Sequence, residues 1–159
     1  MRHERRIVAG EFLRRRSDLS RSRRRLPTLR KLLIVTSSVA QAAVLEAMLH
    51  VLLGYDVEIA TARTLGAALD HLLAAPPDHV LLSTALPPSD TAVTVIPILR
   101  RCGYRGPIVL VGDVAEGSER RAFEGIGAAD LIGADELYTT RLAAALERAS
   151  PAAVPEAAE

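Results

Sequence analysis

Between positions 31 and 149 the chain alternates short apolar runs with longer segments in which apolar residues recur every three or four positions. The short runs predict buried strands, and the longer segments predict helices that cover a sheet. Regular alternation of this kind, with short loops, predicts a doubly wound parallel sheet with right-handed crossovers. The predicted strands are 32–35, 57–60, 80–82, 107–111 and 129–132, and the clear helices are 39–53, 61–74, 116–125 and 136–149.

The third crossover is less regular than the others. Residues 90–96 are rich in β-branched side chains, and Pro97 follows them. Proline lacks the amide donor that a helix interior uses, and β-branched residues lower helix propensity. We therefore expect the helix of this crossover either to begin late, with Pro97 in its first turn, or to be kinked at Pro97.

The composition supports one compact domain. The chain has 159 residues, of which 49% are hydrophobic and 3% aromatic, so we expect a core of Leu, Val, Ile and Ala. No apolar run approaches the ~20 residues of a membrane span. The first residues are basic and are not followed by the apolar stretch of a secretory signal. We expect a soluble, cytoplasmic protein.

Cysteine and histidine give no indication of a metal site or of a disulfide. Cys102 is the single cysteine, so no internal disulfide can form. His3, His50, His71 and His79 show no ligand spacing with one another or with Cys102. We expect no metal and no cofactor, and we expect the histidines to be at the surface or partly buried.

Charge is divided sharply along the chain. Residues 1–31 hold twelve basic and three acidic residues, a net charge of +9, whereas the remainder holds eight and sixteen, a net charge of −8. This pattern predicts a basic, disordered arm (1–30), a folded domain (31–149) and a disordered tail (150–159). The arginine clusters that would contact nucleic acid or an anionic membrane are Arg14, Arg15, Arg16, Arg23, Arg24 and Arg25. A solvated tail without a partner, or a translation start assigned too far upstream, explains the same residues.

Local phrases narrow the choice among doubly wound folds. The segments 53–57 (LGYDV), 82–87 (LSTALP), 103–109 (GYRGPIV) and 127–130 (GAAD) resemble the landmarks of the receiver domain of two-component response regulators, in the receiver order. The resemblance covers about residues 31–149. It implies a flavodoxin-like, five-stranded sheet of order 2-1-3-4-5 and a bacterial origin.

The resemblance also locates a site at the carboxyl ends of the strands. Receivers hold Mg²⁺ with two acidic residues after the first strand and an acceptor aspartate after the third, and they use a Thr or Ser after the fourth strand and a Lys after the fifth. In this chain those positions hold Thr36, Ser37, Ser83, Gly112 and Ala134. Neutral hydroxyls are weak ligands for Mg²⁺, and a serine cannot form an acyl phosphate.

Two other carboxylates, Asp113 and Asp130, could lie near this site. Asp113 follows the fourth predicted strand and Asp130 lies in the fifth, and we expect both near the same end of the sheet. Neither occupies a position that matches the receiver pattern. We therefore interpret them as loop or cap residues.

Together these observations predict a pseudo-receiver: a protein-interaction module in signalling or regulation, not an enzyme, and independent of aspartyl phosphorylation. The alternatives are a nucleic-acid-binding regulator that uses the arm and a small-molecule sensor that uses the vacated pocket. The partner could also be a second copy of the chain. We expect it to bind one fixed conformation of the domain. The first helix is apolar nearly all round, so one predicted partner face is Val44, Met48 and Val51, and the other is Arg120, Arg121, Tyr138 and Arg141.

Overall fold

The computed structural model of the protein describes residue 26 and residues 28–87, 90–113 and 117–150. Most of the basic arm, including its six clustered arginines, and the tail from residue 151 lie outside the described residues. In chain order the elements are β1 (Lys31–Val35), α1 (Val39–Leu53), β2 (Glu58–Ala62), α2 (Leu65–Ala74), β3 (His79–Ser83), β4 (Ala85–Leu86), β5 (Asp90–Thr91), α3 (Ala92–Arg101), β6 (Ile108–Val111), α4 (Gly117–Gly125), β7 (Asp130–Ile132) and α5 (Thr139–Ala149).

Five of these strands form a parallel sheet in the order β2-β1-β3-β6-β7. Counted over the strands of this sheet alone, this is the order 2-1-3-4-5, so the predicted flavodoxin-like receiver fold is confirmed. Strand β3 lies at the centre, with Leu81 paired to Ile34 of β1 and to Val109 of β6. Its first four residues are buried, as expected for a strand that is covered on both faces.

Helices cover both faces of the sheet. Helices α1 and α5 pack on one face, and α2, α3 and Phe123 of α4 pack on the other. Aliphatic side chains supply nearly all of both cores, as the low aromatic content predicts. Among the described residues, none of the helices combines the length and the apolar character that crossing a membrane requires.

The third crossover does not begin late, so the first of its two predicted outcomes is wrong. Helix α3 begins at Ala92, immediately after the β4–β5 hairpin, and Pro97 lies inside it. Buried residues at positions 92, 95, 96 and 99 form one stripe of helical period, and their packing outweighs the β-branched composition. Thr94 supports the early start, since its Oγ1 accepts a hydrogen bond from the Thr91 amide (3.1 Å) and donates one to the Thr91 carbonyl (2.8 Å).

The bounds of the second strand and of the second helix also differ from the predicted ones. Strand β2 extends to Ala62, two residues beyond the predicted end, and α2 begins at Leu65 rather than at position 61. The true helix start has a physical marker in Thr64, whose Oγ1 accepts a hydrogen bond from the Ala67 amide (3.1 Å). A side-chain acceptor of this kind satisfies an amide that the first turn of a helix leaves unpaired.

The packed region extends a few residues beyond the predicted bounds. Leu26 and Leu29 pack against the core under α1, and Asp78 Oδ2 accepts hydrogen bonds from the amides of Arg30 (2.8 Å) and Lys31 (3.1 Å). At the other end, Ser150 Oγ lies 3.1 Å from His79 Nε2. These contacts attach Leu26, Leu29, Arg30 and Ser150 to the folded domain.

His79 corrects one prediction about the histidines. It is 1% exposed, at the start of the central strand, whereas we expected a surface or partly buried position. Its Nδ1 has no hydrogen-bond partner among the described residues. Burial lowers the pKa of His79 from 6.5 to about 4, although the charge of Asp78 acts in the opposite direction. His79 is therefore a neutral core residue at neutral pH.

Candidate functional site

The structure brings the five predicted site positions to one edge of the sheet. Thr36 and Ser37 follow β1, Ser83 ends β3, Gly112 follows β6, and Ala134 lies just beyond β7. These four strands are neighbours and run parallel, so their carboxyl ends lie side by side. In doubly wound sheets this edge is where ligands bind.

Thr36 and its neighbours form a closed hydrogen-bond network. The buried Thr36 Oγ1 donates to Gln41 Oε1 (2.6 Å) and accepts from the Ser38 amide (3.2 Å). Ser38 in turn caps α1, because its Oγ accepts a hydrogen bond from the Gln41 amide (3.1 Å). The Thr36 hydroxyl is thus engaged by protein groups, while Ser37 is exposed. Neither residue supplies a negative charge to this edge.

Ser83 is held by the backbone that follows it. Its Oγ donates to the carbonyl oxygen of Ala85 (3.1 Å), in the first strand of the β4–β5 hairpin. A serine here is too weak a ligand to replace a carboxylate on a hard cation. Its local bond instead fixes the turn into the hairpin.

Thr84 fills the space beside Gly112. A β-carbon built on Gly112 would overlap Thr84 Oγ1 and lie 3.3 Å from both Thr84 Cβ and Thr84 Cγ2. The backbone holds the two residues in this position: the Thr84 amide donates to the Val111 carbonyl (3.1 Å) and the Gly112 amide donates to the Ile132 carbonyl (3.0 Å). Gly112 also has φ +145°, a conformation that favours glycine.

The last position of the site lacks a cation. Ala134 is exposed and begins a short 3₁₀ turn, Ala134–Glu136, in which Asp135 and Glu136 are also exposed. The amide of Glu136 closes this turn on the Gly133 carbonyl (3.0 Å). Charge at this point of the edge is therefore negative, which disfavours an anionic group. Over the described part of the chain, no three His, Cys, Asp or Glu side chains are grouped so as to hold a metal ion.

Asp130 does not lie at this edge, contrary to expectation. It begins β7, so it is at the amino end of the sheet, whereas Asp113 follows Gly112 and is exposed. Arg141 binds the Asp130 carboxylate through both terminal nitrogens (2.9 and 3.2 Å). Burial acts to raise the pKa of Asp130, but the hydrogen bonds from Arg141 and from the Leu131 amide outweigh it and hold that pKa below its ordinary value. The carboxylate is a structural one.

The two predicted partner faces differ in what they expose. On α1, Val44 (46%) and Val51 (48%) are exposed, while Met48 is half-buried and packs against the core. On the other face Arg120, Arg121 and Tyr138 are exposed. Arg141 is bound to Asp130, and this bond raises the pKa of its guanidinium. A partner on that face would therefore meet three of the four predicted residues in exposed positions.

The solved structures that this chain resembles include receiver domains. The chemotaxis protein CheY4 of Vibrio cholerae is 17% identical, with a TM-score of 0.64 over 76% of this chain and 98% of that one. The BeF₃-activated receiver domain of RstA from Klebsiella pneumoniae is 24% identical (TM-score 0.62; 72% and 93% covered). The signal receiver domain of a modulated diguanylate cyclase from Desulfovibrio desulfuricans is 21% identical (TM-score 0.64; 76% and 93% covered).

These similarities establish that the chain has the fold of the response-regulator receiver domain. This is the fold that the sequence phrases predicted. No protein-family model matches the sequence, and no curated protein matches it.

Two residues of the site could not be identified from the sequence. Thr84 stands next to the acceptor position but matches no receiver role, and Gln41 lies inside a helix. The signal for Thr84 is the strand register, since Ser83 pairs with Val111 and the next residues on the two strands are Thr84 and Gly112.

Proposed function

We propose that the protein is a pseudo-receiver: a non-enzymatic, cytoplasmic protein-interaction module of a signalling or regulatory system, which works without aspartyl phosphorylation. The observation that carries this proposal is the packing of Thr84 against Gly112. A phosphorylated receiver needs a hydroxyl after the fourth strand that can move toward the phosphoryl group. Here the position has no side chain, and the space beside it is occupied.

The charges at the site support the same proposal. Aspartyl phosphorylation needs carboxylates that hold Mg²⁺ and a cation that neutralises the phosphoryl oxygens. Thr36, Ser37 and Ser83 provide hydroxyls, and Ala134 is followed by Asp135 and Glu136. The site therefore lacks its metal ligands and has the wrong sign of charge where the cation would stand. A small-molecule sensor is less favoured, because the Thr36 hydroxyl is bound to Gln41 and Thr84 occupies the β-carbon position at Gly112.

A direct test is labelling with acetyl phosphate and Mg²⁺, followed by intact-mass spectrometry under conditions that preserve acyl phosphates. We expect no phosphoryl adduct on the wild-type chain. The matched variant Ser83→Asp restores one carboxylate but neither the acidic pair nor the lysine, so we expect it also to remain unlabelled. A stoichiometric adduct on the wild-type chain would contradict the proposal.

A second candidate function rests on the charge of the arm. Twelve of the twenty basic residues lie in residues 1–31, and clustered arginines bind nucleic acid by releasing counterions. If this is the function, binding of duplex DNA or RNA must be lost in a variant without residues 1–25 and must weaken steeply with salt. Equal retention by the truncated variant would refute this second function.

A further inference from the structure

Helix α1 has two apolar sides. Leu45, Leu49 and Leu52 are buried and attach it to the sheet. On the side turned away from the core lies a second set with successive spacings of four, three and four residues, which we call the α1 seam: Ala40, Val44, Ala47 and Val51. All four seam residues are exposed. A spacing of this kind places side chains in one line along a helix, as at the contact between two packed helices.

The α1 seam carries no charge, unlike the outer sides of other helices. Exposed positions include Asp70 on α2, Arg120 and Arg121 on α4, and Glu147 and Arg148 on α5. The polar residues of α1 lie away from the seam. Gln41 is bound to Thr36, and Glu46 lies 3.8 Å from His50 along the flank of the helix. Folding of the domain therefore does not account for a neutral, exposed line of Ala and Val.

We propose that the α1 seam binds the α1 seam of a second copy of this chain, in antiparallel orientation about a two-fold axis. This proposal rests on the proposed interaction function and names the partner. The order of small and large residues favours an identical partner. A two-fold axis that crosses the seam between Val44 and Ala47 sets Val44 of each copy against Ala47 of the other, and Val51 of each copy against Ala40 of the other. Each valine thus faces an alanine.

Charge at the seam also permits a second copy. Since the seam is neutral, two identical faces meet without like-charge repulsion at the contact itself. The alanines permit close approach of the helix axes, at about 8 Å. The exposed seam is small beside the roughly 800 Å² per partner of a standard interface, so the dimer should be weak and dependent on concentration.

Sedimentation velocity of the full chain over a wide range of concentrations tests the proposal. We expect the wild-type protein to shift from 17.1 kDa toward twice that mass as its concentration rises. The variant Val44→Glu/Val51→Glu should remain monomeric, because it places negative charges of both copies in a contact that excludes water. Leu73→Glu is the matched control: Leu73 is 74% exposed on α2, and its variant should associate as the wild type does.

Disulfide crosslinking in a Cys102→Ser background tests the orientation. The double variant Ala40→Cys/Val51→Cys should form covalent dimers under mild oxidation, because the axis brings residue 40 of one copy to residue 51 of the other. Val51→Cys alone should not crosslink, since an antiparallel pair separates the two copies of residue 51 by about 16 Å, well beyond disulfide reach. Efficient crosslinking of Val51→Cys alone would overturn the antiparallel arrangement.

Three other results would overturn the proposal. A protein that stays monomeric at every concentration excludes the second copy but leaves phosphorylation-independent binding of another partner intact. Association that appears only after residues 1–25 are removed would show that the arm covers the seam within one chain. Equal loss of association in Leu73→Glu would show that the contact lies elsewhere. None of these results affects the labelling experiment, which tests the proposed function separately.

Discussion

Replacing Gly112 with alanine should destabilise the domain strongly, because two unfavourable effects coincide there. The backbone has φ +145°, and the new β-carbon would overlap Thr84 Oγ1. An unfavourable backbone conformation costs roughly 1–3 kcal/mol. Overpacking a tight site costs roughly another 1–3 kcal/mol. We therefore expect Gly112→Ala to lower the free energy of unfolding by about 2–6 kcal/mol.

Gly54→Ala is the matched control for the backbone effect. Gly54 also has positive φ (+84°), but no atom lies within 4 Å of a β-carbon built on it. This variant should show the cost of the backbone conformation without the overlap, roughly 1–3 kcal/mol. The difference between the two variants then measures how completely Thr84 fills the space.

A double-mutant cycle attributes that difference to Thr84. Thr84→Ala removes the hydroxyl and methyl groups, so the penalty of Gly112→Ala should be smaller in its presence, with a coupling of about 1–2 kcal/mol. Urea unfolding followed by circular dichroism gives all four free energies. If Gly112→Ala costs no more than Gly54→Ala, or if the cycle is additive, then Thr84 does not occupy the vacated position and the reasoning fails.

Two further predictions concern stability. The pKa of His79 in the folded chain is about 4, below its ordinary value of 6.5. Between these pH values the unfolded chain therefore binds one proton more than the folded chain. The free energy of unfolding should be greatest above pH 6.5 and fall by about 3 kcal/mol toward pH 4. His79→Leu should flatten this part of the urea-unfolding profile, and an unchanged profile would refute the assignment. Deleting residues 1–25 should leave the thermal transition nearly unchanged, whereas deleting residues 1–30 also removes Leu26 and Leu29 from the core and should cost about 2 kcal/mol. Equal melting temperatures for the two truncations would show that those leucines contribute nothing.

The sequence predicted the fold because local patterns and the overall topology agree. Buried strands such as β3 and β6 are continuous apolar runs, and short loops leave few connections to choose from. The elements that were misplaced are those where tertiary packing opposes local preference. Helix α3 forms through β-branched residues and around Pro97, since burial of Val95, Ile96 and Leu99 outweighs their propensity.

The candidate site was predicted in position but not in detail. Each strand end could be located, so Ser83 and Gly112 were known to lie at one edge. Which side chain fills the space beside Gly112 depends on the direction in which Thr84 leaves β3. No pattern along the chain encodes that direction. The position of Asp130 was also wrongly predicted. Its carboxylate was expected at the site edge, but β7 begins at Asp130, so this residue lies at the opposite edge of the sheet.

The most direct test of the central claim uses the phosphoryl mimic that activates receivers. Backbone amide spectra of the ¹⁵N-labelled protein are recorded with Mg²⁺, before and after addition of beryllium fluoride. A site with Ser83 in place of the aspartate, Gly112 in place of the hydroxyl and Ala134 in place of the lysine should bind neither group, so we predict unchanged amide positions throughout β3, β6 and α4. Saturable shifts that begin at Ser83 and Gly112 and extend to α4, α5 and β7 would show a working switch and contradict the account.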